Sequence, residues 1–95
     1  MSQPAVYLLA SRRNGTLYCG STWDLIRRVW EHREGVGSRF TARYAVRLLV
    51  WYEFYGEIGA AYQRERQIKE WNRAWKIELI ERDNPTWRDL YDELF

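Results

Sequence analysis

The stretch Val6–Gly20 constrains the fold more than any other. Apolar residues and tyrosines lie on both sides of Asn14-Gly15, and an Asn-Gly pair suits a two-residue hairpin turn whose central positions take positive φ. The segment reads as two antiparallel strands with Asn14 and Gly15 as the loop, Arg13 facing Thr16 and Ser11 facing Tyr18. In that register Tyr7 and Tyr18 project from the same sheet face, because side chains alternate along a strand. They stand four positions apart along the hairpin, roughly 13 Å at strand rise. A bulge or a wider turn is needed before the two phenols can meet.

A chain of 95 residues with 46% apolar residues supports one core, so residues 1–95 are read as a single domain. No apolar run approaches a membrane span, and Met1-Ser2-Gln3-Pro4 lacks the basic-then-apolar pattern of a signal peptide. A lone cysteine, Cys19, excludes an internal disulfide and fits a reducing cytoplasm. Its place among strand residues suggests a buried, inert thiol. One His and one Cys exclude a zinc site of the usual kind. Charge is unevenly spread: residues 1–50 carry eight arginines against three acids, whereas residues 51–95 carry seven bases against ten acids. A basic first half invites a polyanion, although a solvated surface explains it equally well.

After the hairpin, Ser21-Thr22 offer an N-cap and Asp24 favours the first turn of a helix running to about Glu34 and ending at Gly35. Leu25, Ile26, Val29 and Trp30 form its apolar stripe. Arg27 then points to solvent with Glu31 and Glu34, while Arg28 and His32 lie on the stripe's flank and look into a cleft beside the sheet. Gly35–Ser38 links to a segment in which Arg39, Arg43 and Arg47 alternate with Phe40 and Tyr44. Such a mixture can hold phosphates and stack bases; aromatics turned into the core are the competing reading. Residues 47–55 are apolar on both faces, as in a central strand.

A long helix follows from about Ile58 to Trp71, with Ile58, Ala61, Tyr62 and Ile68 inward and Glu65 in the middle of that stripe. A carboxylate there demands a cation, either a metal ion or a buried arginine. Residues 72–82 read as a second helix or a continuation after a kink, Asn84-Pro85 breaks the chain, and Thr86 caps a last short helix with Trp87, Leu90 and Leu94 inward. The expected order is β-β-α-β-α-α-α: an α+β domain with a three-stranded, mostly antiparallel sheet flanked by helices.

The ordered set Ala5-Val6-Tyr7, Tyr18-Cys19-Gly20, Arg28, His32 and Glu65 resembles the GIY-YIG (URI-domain) nuclease superfamily. Leu17–Thr22, Asp24-Leu25, Arg27-Arg28 and Glu31-His32 are similar to its central motif. Glu65–Lys69, Trp71 and Asn84-Pro85 with Trp87 look like the small stand-alone bacterial subgroup. Ala5, Val6 and Cys19 depart from the usual triplets but leave both tyrosines in place. The resemblance implies a GIY-YIG-like fold and a metal-dependent DNA endonuclease using a single Mg²⁺ or Mn²⁺ ion. Double-stranded or branched DNA is the implied partner, and repair or recombination the implied setting.

By the same resemblance, Tyr18 is the second-motif tyrosine, acting as base or orienting the nucleophile, and Tyr7 hydrogen-bonds within the site. Arg28 stabilises phosphate charge, His32 is a rival base and Glu65 is the metal ligand. Asn72 and Asn84 both compete for the position of an asparagine that many members carry beside that glutamate. A phenol starts near pKa 10 and needs help to act as a base, whereas an imidazole starts near 6.5. Arg39, Arg43 and Arg47 are expected to contact DNA through its backbone or shape. The alternative is a non-catalytic nucleic-acid-binding module that keeps the fold.

Overall fold

In the computed structural model, which describes residues 3–95, strand β1 (Ala5–Ala10) is buried along its whole length. Met1 and Ser2 of the expected non-signal start lie outside the described residues. β1 is the middle of a three-stranded antiparallel sheet, between β2 (Leu17–Thr22) and β3 (Leu48–Phe54). The helices are α1 (Leu25–Arg33), the short α2 (Arg39–Arg43), α3 (Ile58–Glu70) and α4 (Arg73–Asp83), followed by one 3₁₀ turn at Tyr91–Leu94. This is the expected α+β class with its three-stranded antiparallel sheet, but α2 is added to the expected order and a 3₁₀ turn replaces the last short helix. Among the described residues no helix is long and apolar enough to cross a membrane.

The two faces of β1 feed two cores, as strict side-chain alternation requires. Val6, Leu8 and Ala10 pack with Cys19, Val50, Ala61, Ile68 and Ile80 under α3 and α4. Ala5, Tyr7 and Leu9 pack with Leu25, Val29, Val46, Leu49 and Leu90 under α1. β3 is therefore an edge strand, not the central one expected from its apolar sequence. Its free edge is covered by the C-terminal segment: Leu90 N–H donates to Leu49 O at 2.7 Å, and Asn84 Nδ2 donates to Val50 O at 3.1 Å. The covered part of β3, residues 49–51, is buried on both faces and closed to pairing with another chain.

The hairpin turn is wider than the Asn-Gly signal implies. Ser11 pairs with Thr16 around a four-residue loop, Arg12–Gly15, in which only Asn14 takes positive φ (58°). Ser11 Oγ accepts the Thr16 N–H at 2.9 Å, and Arg73 of α4 donates to the carbonyls of Asn14 and Gly15. These contacts favour the longer loop. Tyr18 consequently pairs with Leu9 rather than facing Ser11, and Tyr7 pairs with Gly20. The shift preserves parity and halves the tyrosine offset from four positions to two.

Four further expectations are corrected. Asp24, not Ser21 or Thr22, caps α1, because β2 runs through Thr22 and Asp24 Oδ1 accepts the Arg27 N–H. The buried side of α1 is Leu25, Val29 and His32, while Ile26 and Trp30 are exposed. On α3, Tyr62 also faces solvent. Thr86 caps nothing: Trp87 sits at φ 59°, and the buried Asn84 organises the turn by accepting the Arg88 N–H and donating to Arg88 O.

Candidate active site

Gly20 lies opposite Tyr7, and its missing side chain shapes the site. A Cβ at Gly20 would stand 2.5 Å from the Tyr7 hydroxyl oxygen, so the Tyr7 ring leans across a space only glycine leaves. The Tyr7 and Tyr18 ring centroids come within 6.3 Å, and the His32 ring lies 5.7 Å from Tyr7 and 5.1 Å from Tyr18. β1, β2 and α1 thus bring three rings together on one face of the sheet.

His32 is fully buried. Its Nε2 is 2.9 Å from the Tyr7 hydroxyl and its Nδ1 is 2.8 Å from Thr41 Oγ1, which is 2.8 Å from Ser38 Oγ. Burial, and then the neighbouring Arg28 charge, lower its pKa to about 4, so the imidazole is neutral at pH 7. Burial also raises the Tyr7 pKa, helped by nearby Tyr18 and opposed by Arg28, which keeps the phenol protonated. The network assignment follows: Tyr7 O–H donates to Nε2, and Nδ1–H donates to Thr41. Both imidazole nitrogens are engaged. Tyr18, by contrast, is half-exposed, and its hydroxyl has no hydrogen-bond partner among the described residues.

Arg28 reaches the same region from the next turn of α1. Its Nη1 donates to Glu31 Oε1 at 3.0 Å and its Nη2 to Gly37 O at 2.9 Å, leaving other N–H groups of a half-exposed guanidinium available to an anion. Thr41 is the residue the sequence reasoning missed. It sits in the Arg39–Tyr44 segment, read there for charge and aromatics alone, and a buried hydroxyl leaves no periodic signal.

Glu65 approaches from the other side. Ser21 pairs with Val6, so its side chain lies on the α3 face of β2, opposite in parity to Tyr18. Its hydroxyl donates to Glu65 Oε1, and Lys69 pairs with Oε2 one helical turn on. The cation at Glu65 is thus a lysine, not the buried arginine considered from sequence. β2 is an edge strand, so the carboxylate and the tyrosine cluster flank one free edge. Glu65 is close enough for its charge to raise the Tyr7 and Cys19 pKa values. Cys19, pushed up to about 12 chiefly by burial, is the inert thiol expected.

A model of the GIY-YIG catalytic domain matches residues 3–78. This chain belongs to the GIY-YIG catalytic-domain family. It is 40% identical over 76 residues to a UPF0213 protein of Pseudomonas aeruginosa, covering 80% of this chain and 72% of that one. With a UPF0213 protein of Syntrophus aciditrophicus it shares 36% identity over 86 residues, 90% of this chain and 97% of the other. A UPF0213 protein of Aeromonas salmonicida is 34% identical over 87 residues, 92% of this chain, which spans 62% of that relative's length. No solved structure matches. Membership of the GIY-YIG family supports a nuclease-type function.

The GIY-YIG motif residues thus have distinct surroundings. Tyr7, Tyr18, Arg28 and His32 converge on the α1 face, and Glu65 stands across β2. Arg39, Arg43 and Arg47 are exposed on and after α2. Neither asparagine has a carboxylate partner. Asn72 is the N-cap of α4, accepting the Trp75 N–H, and Asn84 is engaged in the C-terminal turn. Among the described residues no three of His, Cys, Asp and Glu cluster as a metal cage. A lone carboxylate beside a hydroxyl offers a divalent ion one protein ligand at most, which suits a Mg²⁺-type ion that keeps most of its waters only where Lys69 gives up Oε2.

Proposed function

We propose that this protein hydrolyses DNA phosphodiester bonds as a metal-dependent endonuclease, with Tyr18 at the attacking water, Arg28 on the scissile phosphate and Glu65 as the ligand of a single divalent ion. The observation that carries this reading is the division of labour between two neighbouring rings. His32 is sealed and committed to Tyr7 and Thr41, while Tyr18 beside it is accessible and has an unengaged hydroxyl.

In this reading Tyr18 orients the water through its hydroxyl, and the proton the water loses is matched by one that the leaving oxygen takes up. Tyr7 and His32 hold the rings in place as positioning residues. The water oxygen bonds to phosphorus as the bridging P–O bond breaks, leaving a phosphate monoester and an alcohol. Arg28 is tethered by two hydrogen bonds and stabilises the charge that builds on the non-bridging oxygens without needing to reorganise. Glu65, fixed by Ser21, would hold the ion once Lys69 yields; the ion would supply Lewis-acid stabilisation of phosphoryl and leaving oxygens. Cleavage directed by DNA structure, in repair or recombination, fits the exposed Arg39, Arg43 and Arg47.

The test is incubation of purified protein with linear, nicked, flapped and four-way DNAs, with Mg²⁺ or with chelator. New product ends that appear only with the ion support the proposal. Salt-sensitive binding without any product, on every substrate, overturns it in favour of a binding module.

A further inference from the structure

Phe40 and Tyr44 are large aromatic residues on and just after a short helix, yet 42% and 47% of their surfaces remain exposed. The Phe40 ring centroid is 6.1 Å from Tyr18 and 5.0 Å from Tyr44, and the Arg43 guanidinium lies 5.4 Å from the Tyr44 centroid. The rings form a ladder that begins at buried His32, passes through Tyr18 and ends in solvent at Arg43. Residues 39–47 contain three exposed arginines and no acid. The core does not require this arrangement, since Thr41 and Val46 supply the segment's buried anchors. An apolar partner protein would bury these arginines without counter-charge, whereas a polyanion carrying flat rings satisfies both features.

We propose that Phe40 and Tyr44, flanked by Arg39, Arg43 and Arg47, form a stacking platform for unpaired nucleotides beside Tyr18. Resting on the phosphodiesterase reading above, this names DNA with single-stranded character, such as flaps, gaps and frayed ends, as the substrate class. Bases within a duplex present only their edges, so they gain little from exposed rings, whereas an unpaired base can lay its face on Phe40 while its phosphates meet the arginines. Stacking of this kind tolerates any base, so the platform selects strandedness and not sequence.

The experiment is fluorescence anisotropy in excess chelator, where no cleavage is required, with a labelled oligothymidine and a blunt duplex of equal length. The wild type should prefer the single strand. Phe40→Leu/Tyr44→Leu should weaken single-strand binding by roughly 5- to 100-fold while changing duplex binding less than about twofold. Phe40→Trp should retain the preference. Tyr44→Leu alone, at an exposed helix end, provides a milder variant if the double one melts early, and it should lose part of the preference. Equal losses on both DNAs, an unchanged preference, or a wild type that favours the duplex each overturn the proposal. So does a dimer in sedimentation that these substitutions dissociate without affecting DNA binding. Loss of cleavage with the preference intact counts only against the phosphodiesterase reading. Cleavage with no preference counts only against the platform.

Discussion

The Tyr7 hydroxyl and His32 Nε2 stand 2.9 Å apart inside the domain, joining the first strand to the first helix through a fully buried histidine. Tyr7→Phe deletes the donor and leaves Nε2 without a partner where water does not reach. An unmet buried acceptor costs about 1–3 kcal/mol, so the unfolding free energy from a urea titration should fall by that much and the midpoint should fall with it. An unchanged midpoint would mean that the bond is absent in solution.

The depressed His32 pKa makes stability depend on pH. The folded chain holds this imidazole neutral down to about pH 4, whereas an unfolded histidine takes up a proton near 6.5. Between those values the unfolded state binds more protons, so stability should rise with pH across the window and level off above about 6.5. His32 is the chain's one histidine, which makes its NMR ring signal unambiguous. That signal should show no titration between pH 6 and 8. A midpoint near 6.5 contradicts the buried, neutral assignment.

Gly20→Ala should damage the site through Tyr7. The added methyl would lie 2.5 Å from the phenol oxygen and 2.7 Å from Cζ, so the ring must move. Overpacking of this kind typically costs about 1–3 kcal/mol. Near-ultraviolet circular dichroism should change along with the melting temperature. A variant with wild-type spectrum and stability would show that the ring does not lean across Gly20.

Lys69 competes with any cation for Glu65, since the two side chains are paired. Part-exposed pairs of this kind contribute up to about 1 kcal/mol, so Lys69→Met should tighten Mn²⁺ binding roughly two- to fivefold, read by the loss of the free-ion paramagnetic resonance signal. Glu65→Gln should abolish that binding. Weaker binding in Lys69→Met would show that the lysine supports the ion instead of displacing it.

The three strands, α1, α3 and α4 were legible because each depended on local signals: the β1–β2 alternation, the long stripe of α3 and the Asn84-Pro85 break; the five-residue α2 carries no such periodic signal and was not. Side-chain parity was legible too, so Tyr7 and Tyr18 were placed on one face despite an incorrect register. What escaped were effects decided by distant partners. The turn widened around the Ser11 side chain and the reach of Arg73 from α4. His32 displaced Ile26 and Trp30 from the buried side of α1 because Tyr7 and Thr41 satisfy its nitrogens. β3 imitated a central strand because residues 84–90 cover its edge. At Glu65 the need for a cation was readable from its position, but its identity depended on a lysine one turn away.

The most direct test of the proposed chemistry is single-turnover cleavage of a flapped DNA, with and without Mg²⁺, by wild type, Tyr18→Phe, Arg28→Ala and Glu65→Gln, each first checked for a native melting transition. The wild type should cut only with the ion, and each variant should lose about a hundredfold or more in rate. Cleavage at the wild-type rate by folded Arg28→Ala and Glu65→Gln would contradict it.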